Sequence, residues 1–250
     1  MNKIVIANWK MNPQTKKEAE QLFKAFLSKD QKLNKNKVII CPSLPHLFIS
    51  QKLKNKKVLL GAQNVSTENE GAYTGEVSPK MLKDMGVNYV IVGHSERRKI
   101  GEDDETINKK ILNLLKYKMI PILCVGEKKR DHDGFYLSYV REQIKSCLFG
   151  VSSSNIKNII IAYEPIWAIS SNKGTEATVS EFTEMKIFIK KTLSDLYNEK
   201  TAHNILIIYG GSVNSINAKP FLEEGGADGL LVGRDSLNIK KFFSILETIK

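Results

Sequence analysis

The chain has 250 residues, 42% of them hydrophobic, and a formal net charge of +11. It is long enough for a sizeable core, and it has no apolar run of the ~18 residues that a membrane span needs. The positive charge comes mostly from scattered lysine pairs without a long basic block, which favours a solvated lysine-rich surface over a nucleic-acid-binding stripe and leaves steering of an anionic substrate open.

Three cysteines, Cys41, Cys124 and Cys147, lie far apart in the sequence and form no Cys-x-x-Cys pair. We therefore expect reduced thiols and no metal site. The amino terminus enters a strand-like run directly, without the basic segment, apolar segment and cleavage site of a secretory signal. These features predict a cytoplasmic protein, with no membrane or nucleic-acid partner.

Eight short apolar runs rich in β-branched residues recur along the chain, and most are separated by segments with helical periodicity, such as residues 15–28 and 181–197. The runs are continuously apolar, which is typical of parallel strands covered by helices. Eight such units predict one (β/α)8-barrel domain over residues 1–250. A doubly wound open sheet is the alternative, and the absence of a linker and of a Gly-x-Gly-x-x-Gly motif after the first run disfavours it.

Polar residues gather where these runs end, and in a barrel those ends form one face, where active sites lie. They are Asn8, Lys10, Gln63, Asn64, His94, Glu127, Glu164, Gly210 to Ser212, Gly233 and Arg234. The pattern predicts that residues distant in sequence converge around one small mouth.

His94 and Glu164 are the strongest candidates for catalytic residues. Glu164 follows an apolar strand, and burial disfavours a charged carboxylate, which suits a general base. His94 precedes a predicted helix start, where a neutral imidazole that donates a hydrogen bond is favoured. Taken singly, His94 could be a helix N-cap, Glu164 a salt-bridge partner and Lys10 a surface lysine. Together on one rim they favour chemistry, with Lys10 facing an anion.

Two glycine-containing turns, residues 209–213 and 231–237, follow the last two strands. Each alone could be a tight turn, but in this position barrels commonly bind phosphate with backbone N–H groups. The long connection over residues 63–79 is interpreted either as a docking loop for a second subunit or as a mobile surface loop.

Seven motifs occur in the order and near the spacing of one known family, and together the chain resembles triose-phosphate isomerase nearly end to end. They are NWKMN (8–12), GAYTGEVS (71–78), GHSERR (93–98), CVGE (124–127), YEPIWAI (163–169), YGGSV (209–213) and VGRDSL (232–237). The resemblance implies interconversion of dihydroxyacetone phosphate and glyceraldehyde 3-phosphate, a step of glycolysis and gluconeogenesis, without any cofactor.

By this resemblance, Glu164 moves a proton between C1 and C2 of the triose, His94 polarises its oxygens as a neutral electrophile, and Lys10 stabilises developing charge. Asn8 is a substrate contact. The resemblance also implies supporting positions, with Glu96 and Cys124 behind the catalytic groups.

The resemblance further implies a phosphate site and a lid that covers it. The phosphate contacts are the backbone around Gly211, Ser212, Gly233 and Arg234, with a lid donor at Ser170 or, failing that, Ser171. The lid is expected to involve Pro165, Ile166, Trp167, Ser171, Asn172 and Tyr209. The family usually forms a homodimer, in which Thr74 of the long loop reaches into the neighbouring subunit.

Two departures from the family pattern occur. Arg234 stands where the family usually has a second glycine, and the lid segment is two residues longer, with Ser170 and Asn172 where glycines usually lie. Two other functions are alternatives: another phosphate-binding barrel isomerase or lyase with different acid–base residues, and a catalytically silent barrel that binds nucleic acid or protein through its basic surface.

Overall fold

The computed structural model describes residues 3–28, 36–52, 58–169 and 176–249, with only the backbone described at 49–52. Each strand within these ranges pairs in parallel with the next, and the last pairs with the first, so that the sheet closes into a barrel. The strands are β1 (Ile4–Asn8), β2 (Lys37–Cys41), β3 (Val58–Ala62), β4 (Tyr89–Val92), β5 (Ile120–Val125), β6 (Ile160–Tyr163), β7 (Leu206–Tyr209) and β8 (Gly229–Val232). The predicted (β/α)8 barrel is confirmed.

Helices connect the strands on the outside of the barrel. They are α1 (Lys16–Ser28), α2 (Pro79–Asp84), α3 (Ser95–Lys99), α4 (Asp104–Lys116), α5 (Phe135–Cys147), α6 (Val179–Leu196), α7 (Glu199–Asn204), α8 (Ala218–Glu223) and α9 (Ile239–Glu247). Short 3-10 helices occur at Leu44–Lys52, Ile156–Asn158, Ile166–Ala168 and Arg234–Leu237. None of the helices in the described ranges has the length and apolarity needed to cross a membrane.

Local sequence explains where several helices begin. Thr178 and Glu181 form a reciprocal capping box at the start of α6, which satisfies backbone N–H groups that the helix leaves free. At the start of α2 the Ser78 side chain accepts from the backbone N–H of Met81, and Pro79 occupies the first helical position, where a missing N–H costs nothing.

The strands are apolar on both faces because each face packs against a different layer. Alternate side chains such as Ile6, Ile91 and Ile122 point into the barrel and form an inner cluster. The residues between them, such as Val5 and Val90, pack with the helices in an outer cluster. The strands end at a single rim, so the polar residues that follow them are carried to one mouth.

Candidate active site

A cavity of about 330 Å³ opens at the carboxyl ends of the strands. Its walls come from the segments that follow β1, β4, β6, β7 and β8, and they include Lys10, His94, Glu164, Ser212 and Gly233. The structure therefore brings together residues from both halves of the chain. Among the described residues, no three His, Cys, Asp or Glu side chains are grouped so that they could hold a metal ion.

Lys10 is held in a left-handed backbone conformation, with a φ of 54°. Such a conformation costs a non-glycine residue about 1–2 kcal/mol. Its N–H donates to Asn8 Oδ1 at 3.0 Å, and its carbonyl accepts from Gln63 Nε2 at 2.8 Å. The Lys10 ammonium donates to Glu96 Oε1 at 2.6 Å. Backbone and side-chain contacts thus direct the ammonium group toward the mouth.

His94 is the N-cap of α3, and its Nδ1 accepts a hydrogen bond from the backbone N–H of Glu96 at 3.2 Å. An accepting Nδ1 places the ring hydrogen on Nε2 in the neutral tautomer. His94 Nε2 lies 3.2 Å from Glu164 Oε1. The N-cap interpretation and the catalytic one are therefore compatible, because one nitrogen caps the helix and the other faces the cavity.

Glu164 is buried, with only 2% of its surface exposed. Its Oε2 accepts from the backbone N–H of Ser95 at 3.0 Å, and its own N–H donates to the Val125 carbonyl at 2.8 Å. Oε1 accepts no hydrogen bond of good geometry, although the His94 ring is close to it. One carboxylate oxygen is thus fixed and the other is available to take a proton.

Glycines allow this close approach of chain segments. A Cβ at Gly126 would lie 1.8 Å from the Glu164 carbonyl oxygen, and one at Gly210 would lie 3.1 Å from Glu164 Cγ. A Cβ at Gly211 would lie 2.3 Å from the Tyr209 hydroxyl. The segments around Glu164 pack so tightly that a side chain at Gly126 or Gly211 would displace its neighbours.

The turn after β7 and the 3-10 helix after β8 form the opposite wall. Ser212 Oγ donates to the Ala168 carbonyl at 3.0 Å, and Asn217 Nδ2 donates to the Ser212 carbonyl at 2.7 Å. Gly233 precedes the helix that Arg234 begins. Arg234 has no positive φ, so its backbone accommodates a side chain, which lines the cavity and is exposed.

Other predicted residues surround this cavity. Cys124 lies beneath it, inside the barrel, where burial and then the Glu164 carboxylate raise the pKa of its thiol. Tyr209 is buried and stacks on Phe221 at 3.7 Å. Pro165 precedes the 3-10 turn that contains Ile166 and Trp167. Ser170, Ser171 and Asn172 lie outside the described residues, and Thr74 is exposed on the long loop.

Sequence reasoning missed the arrangement around Glu127. This buried carboxylate accepts at Oε1 from the Tyr163 hydroxyl at 2.8 Å, from Trp167 Nε1 at 2.7 Å and from Arg130 Nε at 3.3 Å. Burial and the Glu127 charge raise the pKa of the Tyr163 hydroxyl, so it remains a donor. The signal that could have revealed the cluster is the pair of aromatic donors on either side of Glu164.

Fold and site together define a (β/α)8-barrel enzyme with acid–base groups and glycine-containing turns at its carboxyl mouth. The sequence profile of the family described as triosephosphate isomerase matches residues 3–249. The chain belongs to this family. This membership does not favour the alternative of a catalytically silent basic barrel.

Individual relatives agree with the family assignment. The chain is 42% identical over 249 residues to triosephosphate isomerase from Dictyoglomus thermophilum, with 98% of this chain and 99% of the relative covered. Over the same length and coverage it is 45% identical to that from Aquifex aeolicus. It is 42% identical over 248 residues to that from Clostridium botulinum strain Okra, with 97% and 98% covered.

Proposed function

We propose that this chain interconverts dihydroxyacetone phosphate and D-glyceraldehyde 3-phosphate through an enediolate, and so serves glycolysis and gluconeogenesis in the cytoplasm. The observation that carries the proposal is the 3.2 Å approach of His94 Nε2 to Glu164 Oε1 in a cavity that Lys10 also lines. A base, a neutral hydrogen-bond donor and a cation then surround one small substrate.

Glu164 is the proposed base. Its Oε1 removes a proton from C1 of the ketose and returns it to C2, or the reverse for the aldose. The carboxyl group holds this proton during the lifetime of the enediolate, and its burial keeps water away from it. Because the reaction only moves protons within one molecule, its atom and electron balance requires no redox cofactor.

His94 and Lys10 are proposed to stabilise the charge that develops on the substrate oxygens. Nε2–H of the neutral imidazole donates to the carbonyl oxygen as the enediolate forms. The same nitrogen passes the hydroxyl proton from O1 to O2, which completes the exchange of O–H bonds, and the Lys10 ammonium adds positive charge beside these oxygens. Fixed donors and charges in a site shielded from water contribute most to stabilising a transition state. Glu96 holds the Lys10 ammonium through their 2.6 Å contact, and Asn8 holds the Lys10 backbone.

The phosphate is proposed to lie against Gly211, Ser212, Gly233 and Arg234. Backbone N–H groups there provide donors. The N–H groups at the start of the short helix that begins at Arg234 add partial positive charge to this wall. The hydrogen bond from Ser212 Oγ to the Ala168 carbonyl connects this wall to the segment that carries Glu164.

The direct test is a coupled assay with dihydroxyacetone phosphate in the presence of a metal chelator. We expect turnover without added metal or nucleotide. Glu164→Asp retains the charge but withdraws the carboxylate by about one methylene, and such misplacement should lower kcat by about 100-fold. The control is Glu224→Asp, because Glu224 is an exposed carboxylate on the C-terminal side of α8. Folded but inactive wild-type protein would contradict the proposal.

We also propose that the chain is one barrel domain that forms a homodimer through the loop over 63–79. Tyr73 is 50% exposed and Met11 is 82% exposed, and Met11 lines a cavity of about 240 Å³ beside Lys10 and Gln63. This cavity would receive Thr74 of the partner subunit. Sedimentation analysis should give twice the 28.2 kDa chain mass, and Thr74→Arg should shift the species to the monomer.

A further inference from the structure

The carboxylate of Glu127 organises the segment that carries the proposed base. Its Oε1 is contacted by Tyr163, the residue before Glu164, and by Trp167, which lies three residues after it. The Glu127 carbonyl also accepts from the backbone N–H of Ile166 at 3.1 Å. Both flanks of Glu164 are therefore hydrogen-bonded to a single residue in the segment that follows β5.

Arg130 neutralises this buried carboxylate. Its Nε donates to Glu127 Oε1 at 3.3 Å, and the Glu127 side chain is only 1% exposed. A buried carboxylate that loses its cation is strongly destabilised. The guanidinium also lies 5.7 Å from the centre of the Trp167 ring, which adds a cation–π contact to the same segment.

Arg130 also joins this cluster to α6. Its Nη1 donates to Glu184 Oε2 at 2.8 Å, and its Nη2 donates to the Glu181 carbonyl at 3.3 Å. Tyr136 supports the arrangement, since its hydroxyl donates to Glu184 Oε1 at 2.5 Å. The guanidinium reaches the three acceptors from three different nitrogens held in one plane, whereas the donors of a lysine ammonium all radiate from a single nitrogen.

We propose that Arg130 is a positioning residue for Glu164. It acts through Glu127, whose hydrogen bonds to Tyr163 and Trp167 set the position of the base, and it fixes that assembly to α6. The inference rests on the proposed function, because the position of Glu164 matters for turnover only if Glu164 transfers the proton. Arg130 lies outside the cavity lining, so its loss should affect the proton-transfer step more than the binding of substrate.

The test compares Arg130→Met and Arg130→Lys with Arg141→Met. Arg141 is an exposed arginine on α5 whose guanidinium lies 5.1 Å from the Phe188 ring of α6, so it controls for loss of an α6 contact elsewhere. We expect Arg130→Met to lower kcat by about 10-fold or more, since small misplacements of a catalytic group are costly. KM should change by less than about 2-fold, and Arg130→Lys should lie between Arg130→Met and the wild type.

Intrinsic fluorescence supplies a second measurement, because Trp9 and Trp167 are the two tryptophans of the chain. Trp9 is buried elsewhere in the outer core, so a changed emission in Arg130→Met with no change in Arg141→Met reports on Trp167. If Arg130→Met does not fold, Glu184→Gln decides, since it removes the charged anchor on α6 and keeps the contact with Glu127. We then expect kcat to fall by about 3-fold.

Each outcome supports or overturns the inference. A lower melting temperature of Arg130→Met with unchanged kcat would show that Arg130 only stabilises the fold, and this would refute the inference. A raised KM with unchanged kcat would refute it as well. Unchanged kcat in Glu184→Gln would refute the anchoring to α6. An inactive wild-type protein would instead refute the proposed function, which keeps the two failures distinguishable.

Discussion

The Gly126→Ala substitution gives a direct test of how tightly the base is held. Gly126 directly follows β5, and its N–H donates to Gln143 Oε1 at 3.0 Å. An added Cβ would lie 1.8 Å from the Glu164 carbonyl oxygen and 2.6 Å from its carbonyl carbon. Both atoms belong to the backbone, so rotation of a flexible side chain cannot relieve the clash.

The size of the effect follows from these distances. Contacts of a Cβ below 3.0 Å essentially do not occur, so the separation from the oxygen must grow by about 1.2 Å. A shift of about 1 Å at a catalytic group costs about 100-fold in rate, which corresponds to about 2.7 kcal/mol in the activation barrier. Overpacking of this kind destabilises a fold by about 1–3 kcal/mol.

The assay is steady-state kinetics of Gly126→Ala beside thermal unfolding, with Gly150→Ala as the control. Gly150 has a φ of +72° and no atom within 4 Å of an added Cβ, so alanine there should strain the backbone by about 1–2 kcal/mol and leave kcat unchanged. A kcat of Gly126→Ala within about 3-fold of the wild type would refute the reasoning. If the variant does not fold, Gly210→Ala tests the same wall with a milder contact of 3.1 Å to Glu164 Cγ, and about a 10-fold loss is expected.

Three further results are expected. Lys110 contacts Glu102 in the core and Asn64 Oδ1 at 2.8 Å, so Lys110→Met should destabilise the protein by about 3 kcal/mol in urea titrations; a loss below about 1 kcal/mol would contradict this. Asn217→Ala should raise KM several-fold with little change in kcat, because the Asn217 amide holds the Ser212 carbonyl at 2.7 Å; an unchanged KM would show that the turn does not need it. Burial raises the pKa of the Cys41, Cys124 and Cys147 thiols, so a disulfide reagent at pH 8 should modify them only after unfolding, and rapid reaction of the native protein would contradict that.

The barrel could be predicted from sequence because its strands are buried on both sides. Residues such as Ile6 and Val5 meet different layers, and so consecutive positions are all apolar. The rim could also be anticipated, since polar residues directly after parallel strands have only one edge to occupy. That is why His94 and Glu164, which are distant in sequence, could be paired before their positions were known.

The arrangement around Glu127 depends on geometry that no local pattern contains. Arg130 stands beside Lys128 and Lys129 in a charged stretch, which reads as solvated surface. Its partners Glu181 and Glu184 lie more than 50 positions away, on a helix whose rotation depends on packing. The left-handed backbone of Lys10 was equally hidden, because lysine ordinarily avoids that region.

The left-handed conformation of Lys10 means that fold stability alone does not favour lysine at this position. In Lys10→Gly, relief of about 1–2 kcal/mol of backbone strain would offset an exposed ion pair with Glu96 worth about 0–1 kcal/mol and the chain entropy of glycine, about 0.5–1 kcal/mol. Folding is therefore nearly indifferent to the loss of the ammonium group. A screen for melting temperature would not distinguish glycine from lysine at position 10. Only selection for turnover would retain the lysine.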